Sequence, residues 1–283
     1  MAEDLSRRDF VSMSVAAGIA LSASTASAAD LPVAETDVEI KTPDGTCNAA
    51  FIHPRTGAYP GVIIWADAFG LRPVMREMGR ALAKEGYAVL VPNPFYRVTR
   101  DPKLEFKNFN FGNQDDRAKL APLMGSITAE GAAEKDALAF VAWLDRQKEV
   151  DKTKKLGTQG YCMGGPLVMR TAASSDRIGA GGSFHGGGLV TANPNSPHLL
   201  APKIHARMYF GVAKNDDDQQ PDAKDKLREA MAAAKVPAEI EVYPSQHGWC
   251  MSDFVSATTT IYDKAQAERA WGKLLALYKT GLA

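Results

Sequence analysis

The sequence predicts an α/β fold, a mostly parallel central sheet with helices on both faces. Two observations carry this. Apolar runs without alternation, such as Gly61-Val62-Ile63-Ile64-Trp65 and Tyr87-Ala88-Val89-Leu90-Val91, fit strands buried on both faces. Segments of helical spacing stand between such runs, and strands alternating with helices imply a parallel sheet.

The elements follow in order. Val38–Ile40 and Asn48–Ile52 read as strands joined by a turn at Pro43-Asp44-Gly45. Gly61–Trp65 is the first fully buried strand. Pro73 to Gly86 is a helix on the spacing of Val74, Met78, Ala81 and Leu82, with Gly86 suited to its end. Tyr87–Val91 is a strand stopped by Pro92 and Pro94. Residues 94–127 lack clear periodicity and are rich in aromatic and charged residues, as expected of a long functional connection. Helices are expected over 129–146, 165–173, 221–234 and 264–278. Further strands are expected over 155–160, 180–184, 206–211 and 238–243. No linker divides residues 29–283, which are expected to form one domain.

Composition bounds the function. Of 283 residues, 45% are hydrophobic and 23% charged, enough apolar material for a sizeable core. Lys+Arg 33 balance Asp+Glu 33, so there is no electrostatic footprint for nucleic acid or an anionic membrane. A small-molecule partner is the remaining expectation.

The first 28 residues read as a signal peptide. Ser6-Arg7-Arg8-Asp9-Phe10 precedes a weakly apolar Ala/Ser-rich stretch and the small residues Ala26-Ser27-Ala28. The paired arginines resemble a twin-arginine signal, which predicts passage through that export machinery to the periplasm or beyond. The apolar stretch is too short and serine-rich to span a bilayer. Three cysteines, Cys47, Cys162 and Cys250, leave at least one thiol unpaired within a chain.

The chemistry centres on Gly160-Tyr161-Cys162-Met163-Gly164, between a predicted strand and a predicted helix. That context is a nucleophile elbow. The glycines permit the sharp turn, and the following helix points its positive end at Cys162, favouring the thiolate. The Met163 N–H is placed to meet a developing oxyanion. A base is needed, and His247 in the loop after the 238–243 strand is the best placed of the five histidines. His53, His198 and His205 lie in less suitable surroundings. The orienting acid is expected among Asp216-Asp217-Asp218, with Asp216 preferred and Asp217 the alternative. The order Cys, Asp, His is that of the α/β-hydrolase fold. His185, after the 180–184 strand, and Trp249, beside His247, are candidates for the pocket. Cys162, His185, His247 and Cys250 lack the close pair spacing of a zinc site, so no metal is expected.

Over nearly all of residues 33–280 the chain resembles the dienelactone hydrolase family. The resemblance lies in Gly160 to Gly165, the Asp216 loop, Tyr243 with His247-Gly248, and Trp65-Ala66-Asp67-Ala68-Phe69-Gly70 followed by Met75-Arg76 and Gly86 to Val89. It implies hydrolysis of enol-lactones and related esters through a cysteinyl ester, with no cofactor. It implies Cys162, Asp216 and His247 as a triad, with Met163 and Ala68 forming the oxyanion hole.

Two positions depart from the family. Glu commonly stands at Asp67, where it meets the resting thiol and the pocket. An Arg that grips a substrate carboxylate commonly stands at Met251. A thioether cannot replace a bidentate Arg–carboxylate pair. The expected substrate is therefore a more apolar ester or lactone, unless Arg97, Arg100 or Arg117 reaches in. The same departures support the alternative of a ligand-binding protein that kept the fold and lost turnover. A thiol–disulfide protein is a third reading, without a C-x-x-C motif to carry it.

Overall fold

The computed structural model describes residues 31–255 and 259–283. The predicted signal peptide at 1–28 lies outside the described residues. Eight strands form one sheet in the order β1-β2-β4-β3-β5-β6-β7-β8. Strands β1 (Val33–Thr42) and β2 (Gly45–Pro54) form an antiparallel hairpin, and β2 runs antiparallel to β4 (Ala88–Pro92). Every other neighbouring pair is parallel: β4 with β3 (Gly61–Trp65), then β5 (Leu156–Tyr161), β6 (Ile178–Phe184), β7 (Arg207–Ala213) and β8 (Ala238–Tyr243). This is the α/β-hydrolase-like sheet the sequence predicts.

Two apolar layers sandwich the sheet. Helices α1 (Pro73–Lys84) and α7 (Lys264–Gly281) cover one face through Leu82, Leu274 and Tyr278. Helices α3 (Ala132–Leu144), α4 (Gly164–Ser174) and α6 (Ala223–Ala233) cover the other through Phe140, Val168 and Leu227. Every residue of β3, β4 and β5 is buried, which is why β3 and β4 read as unbroken apolar runs, while β5 buries Thr158 and Gln159.

The connection at 94–127 is not irregular throughout. Gln114–Thr128 forms helix α2, with Asn113 accepting from the N–H groups of Asp115 and Asp116 as its N-cap. Only Leu120, Leu123 and Ile127 of α2 are buried and Pro122 interrupts it, so its apolar period is faint. A short helix, α5 (Lys214–Gln219), occupies what reads in sequence as the Asp216 loop. Among the described residues no helix is long and apolar enough to cross a membrane.

The parallel order decides where chemistry can occur. β3, β5, β6, β7 and β8 are consecutive in the sheet and end at one edge. Immediately beyond them lie the 66–70 loop, Cys162, His185, Asp216 and His247. Ligands of open parallel sheets bind outside this carboxyl edge.

Candidate active site

Cys162 caps β5 with φ of 52°, a left-handed conformation costly for a side-chain-bearing residue. The surroundings enforce it. A Cβ on Gly160 would stand 2.2 Å from the Gly164 carbonyl oxygen, and one on Gly164 would stand 2.5 Å from that of Trp65. The elbow is thus pressed against the start of the 66–70 loop. The Cys162 N–H donates to the Phe184 carbonyl and to His185 Nδ1, both at 3.1 Å. The Cys162 carbonyl accepts from the N–H groups of Gly165 at 3.0 Å and Gly187 at 3.3 Å.

Helix α4 begins at Gly164, so its first N–H groups lie directly behind the thiol. Among the described residues no acceptor takes the N–H of Met163 or that of Ala68. Free N–H groups flanking a nucleophile are what an oxyanion needs.

His247 Nδ1 stands 2.7 Å from Asp216 Oδ2. Its backbone N–H donates to Asn215 Oδ1 at 2.7 Å, fixing the loop as well as the ring. The neighbouring aspartates are committed elsewhere: Asp217 pairs with Lys224 and Asp218 with Lys214. Burial pulls the His247 pKa down, but Asp216 and Cys162 outweigh it and push it up to about 10. The arrangement favours a proton on His247.

The three residues expected to line a pocket are placed otherwise, for His185, Asp67 and Trp249 are all fully buried. His185 props the elbow through Nδ1, and among the described residues its Nε2 has no hydrogen-bond partner. Burial, with His247 5.1 Å away between ring centroids, keeps it neutral well below the usual histidine range. Trp249 stacks on Tyr243 at 4.7 Å and meets His185 edge-on at 5.0 Å, so it supports the site from beneath. The Asp67 carboxylate is held within its own loop. Both its oxygens are taken by Arg72, at 2.7 and 2.9 Å, and Oδ1 also accepts from the Phe69 N–H at 2.9 Å.

The other expectations resolve similarly. Arg97 pairs with Asp44 and buried Asp136, Arg100 with Glu39, and Arg117 donates to the Phe111 carbonyl. Met251 is fully buried. The remaining histidines have local partners: His53 with the Pro54 carbonyl, His198 with Ser196 and His205 with Asp176. All three cysteines are unpaired. Among the described residues no three His, Cys, Asp or Glu side chains cluster as metal ligands would. Sequence reasoning missed Asn215, Arg72 and a phenylalanine cluster. In that cluster Phe69 packs edge-on against Phe109 at 5.4 Å, Phe111 at 6.0 Å and Phe254 at 5.6 Å.

Fold and site together define a hydrolase of the α/β-hydrolase type. The sequence signature of the dienelactone hydrolase family matches residues 48–282, and the chain belongs to that family. Membership places it among the carboxylic ester hydrolases. A Salmonella typhi relative named "Putative carboxymethylenebutenolidase" is 26% identical over 260 residues, covering 83% of this chain and 88% of its own. The solved structure m3DLH superimposes with a TM-score of 0.74 at 23% identity, covering 89% of this chain and 99% of its own. The metagenomic dienelactone hydrolase-like promiscuous phosphotriesterase P91 gives 0.72 at 20% identity, with the same coverage. At such identities the structural likeness speaks for the fold.

Proposed function

We propose that the chain hydrolyses an apolar carboxylic ester or lactone through a Cys162 thioester, with His247 and Asp216 completing a triad. The observation that carries this is the placement of Cys162. Its strained turn sits at the start of α4, beside an imidazole held at 2.7 Å by a carboxylate.

The Cys162 thiolate attacks the carbonyl carbon, and the oxygen takes up negative charge facing the N–H groups of Met163 and Ala68. Collapse breaks the ester C–O bond. The departing alkoxide or enolate takes the proton held on His247. Neutral His247 then removes a proton from water as the water oxygen attacks the thioester. Expulsion of the thiolate releases the acid and returns the starting pair. Thiolates are good leaving groups, so activated esters and lactones suit this route better than amides.

The apolar substrate is supported by what surrounds the site. Arg97, Arg100 and Arg117 are each occupied, and a buried methionine stands where the family's carboxylate-gripping arginine would be. Phe109 and half-exposed Phe111 add an aromatic surface beside Phe69, the residue after Ala68. Export by the twin-arginine route is proposed on the Arg7-Arg8 segment; Arg7→Lys with Arg8→Lys would then leave the chain in the cytoplasm on cell fractionation.

The test is Cys162→Ala, assayed on p-nitrophenyl acetate with the wild type quenched for mass spectrometry. The expected result is loss of turnover in the variant and an acyl adduct on the Cys162 peptide in the wild type. Full activity of Cys162→Ala would overturn the proposal. Specific ligand binding without turnover of any ester or lactone would favour a binding protein instead.

A further inference from the structure

Asp67 is a fully buried acid one residue before the Ala68 N–H, and both its carboxylate oxygens are held by Arg72. Arg72 is the N-cap residue of α1. Its side chain is 9% exposed and bridges two carboxylates at once. Nη1 and Nη2 grip Asp67 at 2.7 and 2.9 Å, while Nε and Nη2 grip Asp253 at 2.6 and 3.1 Å. Bidentate pairs on two edges of one guanidinium leave it little rotational freedom. The Phe69 and Phe254 rings each lie 5.6 Å from its central carbon.

The two carboxylates belong to different catalytic loops. Asp67 is wired into the 66–70 loop, where its Oδ1 accepts from the Phe69 N–H and its carbonyl from the Gly70 N–H at 3.0 Å. Asp253 follows His247 by six residues in a tight segment. The Met251 N–H donates to the Gly248 carbonyl at 2.9 Å, and the Phe254 N–H to the Met251 carbonyl at 3.0 Å. Gly248, next to His247, has φ of 100°, and a Cβ there would stand 2.6 Å from the Phe254 ring. Arg72 therefore joins the loop that carries Ala68 to the loop that carries His247.

We infer that Arg72 is a positioning residue: by clamping Asp67 to Asp253 it fixes the Ala68 N–H relative to the His247 loop, so Asp67 serves the oxyanion hole and not the resting thiol. The inference rests on the Cys162 thioester reading. An aspartate suits this role because its shorter side chain keeps the carboxylate back at the guanidinium. A glutamate would project it one methylene further.

Two reactions of the same thiol separate the roles. Ester hydrolysis develops an oxyanion; alkylation by iodoacetamide, a displacement at saturated carbon, does not. Arg72→Lys, Asp67→Asn and the milder Asp253→Asn would be assayed for kcat and KM on p-nitrophenyl acetate. Cys162 alkylation would be followed against pH, with circular dichroism reporting folding. The expected result is a kcat lowered by roughly tenfold or more, a part of the 10²- to 10³-fold that loss of a whole oxyanion donor costs. KM should stay within about twofold, and the rate and pH midpoint of alkylation should not move. A displaced alkylation midpoint in Asp67→Asn would assign Asp67 to the thiol and overturn the inference. So would an unchanged kcat in folded Arg72→Lys and Asp253→Asn alike. Activity remaining in Cys162→Ala would instead sink the thioester reading beneath it.

Discussion

The backbone N–H of Cys162 donates to Nδ1 of His185 at 3.1 Å, so the nucleophile's strained turn rests on an imidazole that must stay neutral to accept. His185 is fully buried, and burial together with His247 holds its pKa well below 6.5. Such a group binds fewer protons folded than unfolded. Its contribution is therefore intact above pH 6.5 and is lost as pH falls toward the folded value. His247, raised to about 10, has the opposite sign: its contribution is fullest below 6.5 and fades as pH rises through the folded value. The two oppose each other, so the informative quantity is a difference between proteins. His185→Gln keeps an acceptor without a titration. Relative to this variant, the wild type should lose roughly 1.4 kcal/mol of stability per pH unit below 6.5. Urea denaturation at pH 7.5 and 5.5 would show it; parallel losses in both proteins would refute the assignment.

Asp216 and Asp217 are adjacent, but only Asp216 reaches His247, while Asp217 pairs with Lys224 at 2.7 Å. Asp216→Asn should therefore cut kcat by at least about 10²-fold, in the direction of the larger losses seen when triad aspartates are replaced. Asp217→Asn should change it by less than about threefold, as expected for a pair outside the reacting groups. Without the Asp216 carboxylate the His247 pKa should fall. The alkaline limb of the kcat/KM profile would then move to lower pH. Equal losses in the two variants would show that the hydrogen bond does not select the acid.

What the sequence made legible follows physical range. The elbow, its flanking strand and helix, and the loop histidine were readable because each depends on neighbours in the chain. β3 and β4 announced themselves because both their faces are buried. Helix α2 escaped notice because only three of its residues are buried, although Asn113 before Asp115 and Asp116 was an available cap signal. Arg72 was invisible as a functional residue because its second partner, Asp253, lies 181 positions away. Asp67 was misdirected for a different reason, since its partner Arg72 stands only five positions away. Its identity was plain, but a pair closed across an irregular turn leaves no periodic signal, and Arg72 takes the carboxylate only once that turn has formed. Choosing among three aspartates required the turn of α5 that aims one of them at His247.

Gly160 separates two explanations of the elbow motif, conformational freedom and space. It is absent from the positive-φ residues, so space is the constraint. A methyl group would stand 2.2 Å from the Gly164 carbonyl oxygen and 3.0 Å from Val168, and the first neighbour is backbone. Gly160→Ala should cost about 2–4 kcal/mol, at or above the usual range for overpacking because backbone must move. Chemical denaturation measures this directly. A loss below about 0.5 kcal/mol, the scale of a surface substitution, would show that the elbow relaxes without effort.

Phe111 offers the cleanest probe of substrate class, because it is 50% exposed and contributes little to the core. It packs on Phe109 at 4.7 Å and reaches Phe69 at 6.0 Å, at the end of the loop that carries Ala68. Arg117 holds it there through its own carbonyl. If this surface receives an apolar part of the substrate, Phe111→Ala should lower kcat/KM for butyrate or benzoate esters by about 3- to 20-fold, the worth of one aromatic contact. The acetate ester should be nearly unaffected, and most of the change should fall on KM, since the contact is made equally in ground and transition states. Stability should shift by less than about 0.5 kcal/mol, as for other exposed positions. The measurement is the ratio of kcat/KM for butyrate over acetate in the two proteins. An unchanged ratio would place the apolar subsite elsewhere along the carboxyl edge of the sheet.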